Sequence, residues 1–165
     1  MRNKNYTESI ETFKELANKF PKNKLSKEAQ FRIGEILFSL NDFENAAQGY
    51  KTFISSYPDD ELAPQAKYKK GLCYKRMGRG EIVEEIFDDV VSSYPKSLAT
   101  AKIYLEKGIS AQEKNNYKDA LKFFRKATKL GYSQISPEAA KRIGDVSLLQ
   151  NNYKDALSSY LKLIY

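Results

Sequence analysis

The sequence predicts an all-α protein built from repeated helical hairpins, and three features of the 165-residue chain support this prediction. The seven letters NNYKDAL occur twice, at residues 115–121 and 151–157. Glycine recurs 37, 37 and 36 residues apart, at Gly34, Gly71, Gly108 and Gly144. Within each period, apolar residues recur at steps of three and four, as in amphipathic helices, without strand-like alternation. A repeat array of helices is therefore expected.

Other residue types keep a fixed distance from these glycines. Twelve residues after each glycine a small residue is favoured, and sixteen residues after it an aromatic residue is always present. These residues are Ala46, Val83, Ala120 and Ala156, and then Tyr50, Phe87, Phe124 and Tyr160. Because glycine and alanine let two helices approach closely, we expect each glycine helix to pack against the alanine helix that follows. The aromatic ring would fill the space beyond.

The same offsets divide the chain into about four and a half repeats. Residues 1–21 form the second half of a repeat, and complete repeats cover about 25–58, 62–95, 98–132 and 136–165. Each repeat contains a first helix, a turn and a second helix. Ser26, the pair Asp59 and Asp60, and Ser136 are expected to cap the first helices, because their oxygens can accept from free amide groups.

Asparagine marks the turns between the two helices of a repeat. Asn41, Asn115 and Asn151 suit left-handed backbone, and the polar residue after each can cap the second helix. The remaining turn has glycine at 78 and 80 instead. Its repeat also replaces two landmark positions, with Gly80 and Val83, so we expect this turn to be irregular.

Helices of about 14 residues are marginal on their own in water, so the repeats must stack. Stacking predicts a quasi-linear solenoid with one continuous core. We therefore expect residues 1–165 to form a single solenoid domain. Since the chain begins halfway through a repeat, we also expect it to be a fragment of a larger protein.

Composition narrows the range of functions. Hydrophobic residues make up 41% of the chain, histidine is absent, and Cys73 is the one cysteine. Without histidine, the commonest general base and a common metal ligand are missing. No phosphate-binding loop or nucleophile motif is present. We expect no catalytic activity, no cofactor and no metal site, with Cys73 buried as a small hydrophobic residue.

Two runs of charge have competing interpretations. The basic run at Lys67, Lys69, Lys70 and Lys75 accompanies a net charge of +7, but these residues spread around the circumference of a helix. Nucleic-acid binding needs basic groups gathered on one face and is not favoured. A solvated face is favoured over an acidic protein partner or an anionic lipid surface. The acidic run at 84–89 is interpreted as a solvated helix face.

The landmarks Gly34, Ala46, Tyr50 and Pro58 resemble those of the tetratricopeptide repeat family, and the likeness covers essentially the whole chain. The resemblance implies a right-handed solenoid whose first helices line a concave face. One departure concerns the tryptophan-like landmark four residues before each glycine, which is Gln30, Lys67, Tyr104 and Ala140 here. The period of 36 to 37 residues also exceeds the family's usual period and implies longer connections.

A narrower resemblance concerns segments 53–74 and 90–108, where Tyr-Pro, a polar loop and an alanine-rich helix precede the glycine. These segments are similar to repeats in outer-membrane assembly lipoproteins and in the periplasmic coordinator associated with the Tol-Pal system. That likeness implies a periplasmic or envelope location and association with a membrane-anchored complex. A cytoplasmic location stays open.

The resemblance also places candidate binding residues on the concave face, three before, one after and four after each glycine. An apolar strip flanked by charges there would suit an extended or helical peptide. Phe31, Tyr68 and Leu105 have an alternative interpretation as core between repeats. A carboxylate-binding clamp of lysine and asparagine is not present at these positions. The predicted partner-binding residues are Phe31, Glu35, Phe38, Tyr68, Leu72, Lys75, Leu105 and Ile109.

The expected function is a scaffold that holds a peptide or protein partner on the concave face, within a bacterial envelope assembly. A cytoplasmic adaptor and a noncatalytic regulatory module of a larger enzyme are the alternatives. A further expectation concerns the end of the chain, where apolar residues lack a following helix to cover them. Self-association is predicted through this end, at Leu161, Leu163, Ile164 and Tyr165.

Overall fold

The computed structural model describes residues 2–20 and 23–164, and the side chains from Glu8 onward except that of Asn18. These residues form nine α-helices and no strand, so the all-α helical-hairpin repeat class is confirmed. The helices are α1 (Arg2–Lys19), α2 (Lys24–Ser39), α3 (Phe43–Ser56), α4 (Ala63–Arg76), α5 (Gly80–Ser93), α6 (Leu98–Glu113), α7 (Tyr117–Lys129), α8 (Ser136–Leu149) and α9 (Tyr153–Leu161). They belong to two compact units, residues 1–90 (unit 1) and residues 91–165 (unit 2).

The asparagine turns have the predicted left-handed backbone. Asn41, Asn115 and Asn151 have φ angles of 61°, 56° and 58°. The residue after each accepts a hydrogen bond from an amide in the first turn of the next helix, as when Asn116 accepts from Asp119 N–H. In each Asn-Asn pair the first asparagine is therefore the turn residue and the second caps the next helix, which explains why the pair recurs in two repeats.

The expectation of an irregular turn at 78–80 is wrong. Gly78 has a φ of 74° and takes the place of the turn asparagine. Gly78 N–H donates to Lys75 O at 3.1 Å and Arg79 N–H to Tyr74 O at 3.0 Å. The Asn41 turn has the same pair of bonds, from Asn41 to Phe38 and from Asp42 to Leu37. Glycine reaches left-handed φ without a Cβ penalty, so the turn keeps its geometry.

Two of the predicted first-helix caps are wrong as well. The Ser26 hydroxyl is buried and donates to Leu16 O at 3.2 Å, while Asn23 caps α2 by accepting from Leu25 N–H at 2.9 Å. Ser136 is the first residue of α8 and makes no side-chain cap. Asp60 accepts from Leu62 N–H at 3.0 Å as predicted, but Leu62 precedes the helix and no side chain caps the first turn of α4.

Each landmark glycine faces the aromatic ring sixteen residues later. A Cβ built on Gly34, Gly71, Gly108 or Gly144 would lie 2.5 to 2.7 Å from a ring carbon of Tyr50, Phe87, Phe124 or Tyr160, respectively. That distance is far below van der Waals contact. Glycine is therefore required because the ring occupies the space of its missing side chain.

Each unit has its own apolar core. In unit 1 the core contains Phe31 with the alanine and aromatic stripe of α3, joined from α4 by Ala66 and Cys73. In unit 2 alanines and Phe124 of α7 meet an alanine, isoleucine and valine stripe of α8. These cores leave part of each first-helix surface available.

Candidate functional site

The predicted binding residues of unit 1 lie on α2 and α4, which we call the unit 1 first-helix face. Two of them are core residues. Phe31 is 6% exposed, and its ring lies 5.7 Å from the Tyr50 ring and 5.6 Å from the Phe53 ring, both edge-on. Tyr68 is also 6% exposed and stacks on Phe87 at 5.7 Å. The structure therefore favours the core alternative for both rings, and a contact between them and a partner stays a prediction.

The accessible part of this face combines apolar and basic groups. Phe38 and Leu72 are half-buried and Lys75 is exposed. The Phe38 ring is fixed edge-on against Phe43 at 5.3 Å. Phe38 and Leu72 offer apolar area to a partner without needing to move.

Glu35 is the centre of an ion-pair network that links α2 to α4. Arg32 donates to Glu35 at 2.7 Å and to Glu28 at 3.5 Å. From α4, Lys69 lies 3.6 Å from Glu35 and also 5.6 Å from the centre of the Phe38 ring. The hydrogen bond from Arg32 to Glu35 raises the pKa of the guanidinium further. The two carboxylates and two basic groups of the network largely compensate each other, but α2 and α4 together carry eight basic and two acidic residues, so these two helices are basic overall.

Arg32 and Lys69 were not predicted from the sequence as residues of this face. Glu28, Arg32 and Glu35 are spaced at i, i+4 and i+7, a pattern that predicts pairing along one helix face. Lys69 carries no such signal, because its contact with Glu35 joins residues 34 positions apart.

Tyr50 lies beneath this network. It is fully buried, and its hydroxyl finds no hydrogen-bond partner among the described residues. Burial raises the pKa of its phenol far above the ordinary value, and the charge of Glu35 adds to the increase. Tyr50 is thus a neutral core group.

In unit 2, the predicted residues Leu105 and Ile109 lie on α6 and are half-buried against the unit 2 core. We call the exposed surface of α6 and α8 the unit 2 first-helix face. On α8, Asp145 accepts a 2.7 Å hydrogen bond from the Tyr160 hydroxyl and lies 3.4 Å from Lys141. That hydrogen bond raises the pKa of Tyr160.

The residue after each landmark glycine varies together with the aromatic residue fifteen positions further on. A carboxylate accompanies tyrosine, as Glu35 with Tyr50 and Asp145 with Tyr160. An aliphatic residue accompanies phenylalanine, as Leu72 with Phe87 and Ile109 with Phe124. The acid and the phenol are hydrogen-bonded in the Gly144 repeat, whereas the Tyr50 hydroxyl makes no described bond to Glu35.

A cavity of about 900 Å³ in unit 1 lies at the loop between α3 and α4. Its lining includes Lys27, Tyr57 and Asp60. Lys27 pairs with Asp60 at 3.0 Å and lies 5.6 Å from the centre of the Tyr57 ring. Lys27 and Asp60 in this cavity thus satisfy each other.

The described residues contain no cluster of three or more metal-ligating groups. Cys73 is fully buried, and burial raises the pKa of its thiol to about 11. A thiol of this kind is protonated at neutral pH and is a poor nucleophile.

An exposed apolar surface lies at the end of unit 2. Leu149, Tyr153, Leu157 and Ile164 are 61%, 66%, 62% and 74% exposed, and Leu161 and Leu163 are 43% and 40% exposed. Tyr165, also predicted to belong to this surface, lies outside the described residues. Nowhere between Arg2 and Ile164, as far as the structure describes them, is a helix long and apolar enough to cross a bilayer.

Comparison with known families identifies the class of protein. Two family models, both described as tetratricopeptide repeat, match the chain, one over residues 28–60 and 65–97 and the other over 105–165. The chain therefore belongs to the tetratricopeptide repeat family, whose members generally mediate protein–protein interactions. No curated protein matches it.

Solved structures share the fold at low sequence identity. MamA 41-end from Desulfovibrio magneticus RS-1 is 19% identical, with a TM-score of 0.61 over 99% of this chain and 86% of that chain. BtubC from P. vanneervenii is 10% identical, with a TM-score of 0.70 over 98% and 73%. The Rap conjugation gene regulator of the plasmid pLS20, in complex with a peptide, is 18% identical, with a TM-score of 0.63 over 96% and 47%. These similarities establish the fold alone.

Proposed function

We propose that the chain is a noncatalytic scaffold that holds a peptide or protein partner on its first-helix faces. The observation that carries this proposal is the unit 1 face, where half-buried Phe38 and Leu72 lie beside the Arg32–Glu35–Lys69 network. Apolar side chains would supply binding energy, and the paired charges would orient the partner. The Rap regulator supports the mode of binding, because that protein has the same fold and is in complex with a peptide.

The face is fixed before a partner arrives. Phe38 is packed against Phe43, and Glu35 is bound from both helices. Fixed side chains lose little conformational entropy on binding, so more of the contact energy appears as affinity. A partner that is extended or helical would gain the most from such a surface.

We place this scaffold in a bacterial envelope assembly, in the periplasm and beside a membrane-anchored complex. The support is the likeness of segments 53–74 and 90–108 to repeats of envelope proteins. A cytoplasmic adaptor and a regulatory module of an enzyme are the alternatives. The open reading frame decides between them: a signal peptide or lipobox upstream supports the envelope, and an appended catalytic domain supports the regulatory module.

Site-specific photo-crosslinking tests the binding face. A photoreactive residue is placed at Leu72 in unit 1 or Ile109 in unit 2, with Gln48 on α3 and Lys122 on α7 as exposed controls on second helices. We expect a discrete crosslinked protein from Leu72 or Ile109 and none from the controls. Equal crosslinking from all four positions would contradict the proposal, and so would crosslinks from the controls alone.

The exposed apolar surface on α9 supports a second candidate, self-association. Leu157 is 62% exposed, and Tyr153 and Leu161, one turn away on α9, are exposed apolar residues too. Leu157→Glu should abolish a dimer seen by light scattering. Leu25→Glu is the matched control, because Leu25 is 60% exposed and lies in unit 1. A monomer at high concentration in the unsubstituted chain would refute this candidate.

A further inference from the structure

Three repeat positions make a side-chain contact inside the hairpin in two of the four repeats. They stand four residues before the landmark glycine and fifteen and eighteen residues after it. In the Gly108 repeat, Tyr104 stacks on Phe123 at 6.4 Å, and Lys126 Nζ lies 5.0 Å from the centre of the Tyr104 ring. In the Gly71 repeat the outer two positions form an ion pair, Lys67 with Asp89 at 2.7 Å. In the Gly34 repeat the three positions are Gln30, Gly49 and Thr52, which include no ring and no charge, so matched side chains occupy these positions in two of the four repeats.

Compared with the Gly108 repeat, the Gly144 repeat lacks both rings but has the lysine. The residues at the three positions are Ala140, Ser159 and Lys162. Where the rings would lie, the structure has two cavities of about 330 and 150 Å³ that share Thr128 and Lys162 as lining residues. We call the larger one the Ala140 cavity. It is open to solvent, because its lining includes the exposed residues Lys129, Pro137 and Lys162.

Two polar groups at this cavity have no partner among the described residues. The Ser136 hydroxyl is buried without a hydrogen bond, and it lines the Ala140 cavity. Lys162, which corresponds to Lys126, has no ion pair or aromatic ring within the described part of the chain. A buried hydroxyl without a hydrogen bond is rare in a folded protein and calls for an explanation.

We propose that the Ala140 cavity binds an aromatic side chain of a partner protein, with tyrosine preferred. The ring would take the place that Tyr104 holds in the Gly108 repeat and would lie beneath Lys162. An aromatic ring gains from burial of its surface and from the nearby ammonium group. The Ser136 hydroxyl is shielded from solvent, so its side chain would rotate toward the cavity to hydrogen-bond the phenol hydroxyl. The volume of the cavity lies at the lower end of the range for small-ligand sites, which suits one side chain.

This site includes α8 but uses none of the predicted partner-binding residues. Ala140, Ser159 and Lys162 are not among the residues proposed to hold the main partner, so either proposal can fail alone. Lys129, Lys162 and two hydroxyl-bearing residues also suggest an oxyanion as the occupant. The Tyr104 contact favours the ring, since it shows this position filled by an aromatic group under a lysine in the same chain.

Titration of the labelled chain followed by amide NMR tests the proposal. The probe is N-acetyl-tyrosinamide, with N-acetyl-leucinamide and inorganic phosphate as comparison probes. A Tyr165→Ser background keeps the chain's own last ring from competing. We expect saturable shifts at Ser136, Ala140 and Lys162 with the tyrosine probe, and no saturation with the leucine probe. Saturation by phosphate alone, or no saturable shift with any probe, would overturn the proposal.

Two substitutions locate the effect. Lys162→Gln should weaken binding of the tyrosine probe about two- to tenfold, because it removes the cation above the ring. Lys154→Gln, on α9 and outside the cavity, should leave affinity unchanged. Ala140→Tyr should fill the cavity, abolish the shifts and raise the melting temperature. An Ala140→Tyr chain that folds and still binds the probe, or equal losses from both lysine variants, would contradict the assignment.

Discussion

The contact between Gly108 and Phe124 gives the sharpest prediction about stability. A Cβ on Gly108 would lie 2.5 Å from two ring carbons of Phe124 and 3.1 Å from a third. Phe124 is fully buried, so its ring cannot move into solvent. Ordinary carbon contacts lie at about 3.5 to 4.0 Å, so Gly108→Ala requires the ring or a helix to shift by roughly 1 Å.

The magnitude follows from two opposing effects. Overpacking a well-packed core costs about 1 to 3 kcal/mol, and a clash with two carbons of an immobile ring belongs in the upper part of that range. Alanine favours a helix interior over glycine by about 1 kcal/mol. We expect Gly108→Ala to lower the free energy of unfolding by about 1 to 2 kcal/mol, which corresponds to a fall in melting temperature of about 2 to 8 °C.

Urea unfolding followed by circular dichroism measures this difference. Gly80→Ala is the matched control, because a Cβ on Gly80 meets nothing within 4 Å. The control should be unchanged or stabilised by up to about 1 kcal/mol. Phe124→Leu should recover part of the loss in the double variant, giving a nonadditive cycle. If Gly108→Ala is as stable as Gly80→Ala, the ring does not occupy the glycine's space and the reasoning fails.

Three further predictions concern single side chains. Tyr160→Phe removes the 2.7 Å hydrogen bond to Asp145 and should lower the free energy of unfolding by about 1 kcal/mol in the same urea assay. Tyr50→Phe removes a hydroxyl without a described partner and should be neutral or stabilising. Asn115→Ala should cost about 1 kcal/mol because its φ is 56°, and Asn115→Gly should cost much less; equal losses would contradict the turn assignment. Cys73 should resist a thiol reagent until the chain unfolds. Folding raises the pKa of the Cys73 thiol to about 11, so the protonated thiol contributes to stability below pH 9 and this contribution is lost progressively above pH 9. If a Cys73→Ala chain shows the same alkaline decline in the free energy of unfolding, this prediction is refuted.

The periodic part of the fold could be predicted from the sequence. The glycine and aromatic offsets predict the hairpins because every repeat packs an aromatic ring against the backbone of a glycine. Asn115 and Asn151 could be assigned to turns since left-handed backbone selects few residue types. The turn at Gly78 was predicted to be irregular only because it has glycine where the other turns have asparagine. Glycine adopts the same left-handed backbone conformation as those asparagines.

The surface was harder to predict because burial depends on neighbours from another helix. Phe31 and Tyr68 have the offsets of exposed residues, yet Tyr50, Phe53 and Phe87 cover them. Ser26 looked like a helix cap, but its hydroxyl bonds to α1, and only the path of the chain reveals this. The contact between Lys69 and Glu35 likewise needs the packing of α2 against α4.

The central structural claim is that a glycine backbone and an aromatic ring meet in every hairpin. Proton NMR measures this contact directly, through nuclear Overhauser effects between the glycine Hα atoms and the ring protons. We expect strong cross-peaks and upfield-shifted glycine Hα signals for the pairs Gly34–Tyr50, Gly71–Phe87, Gly108–Phe124 and Gly144–Tyr160. Glycine Hα signals at ordinary shifts, without cross-peaks to these rings, would contradict the claim.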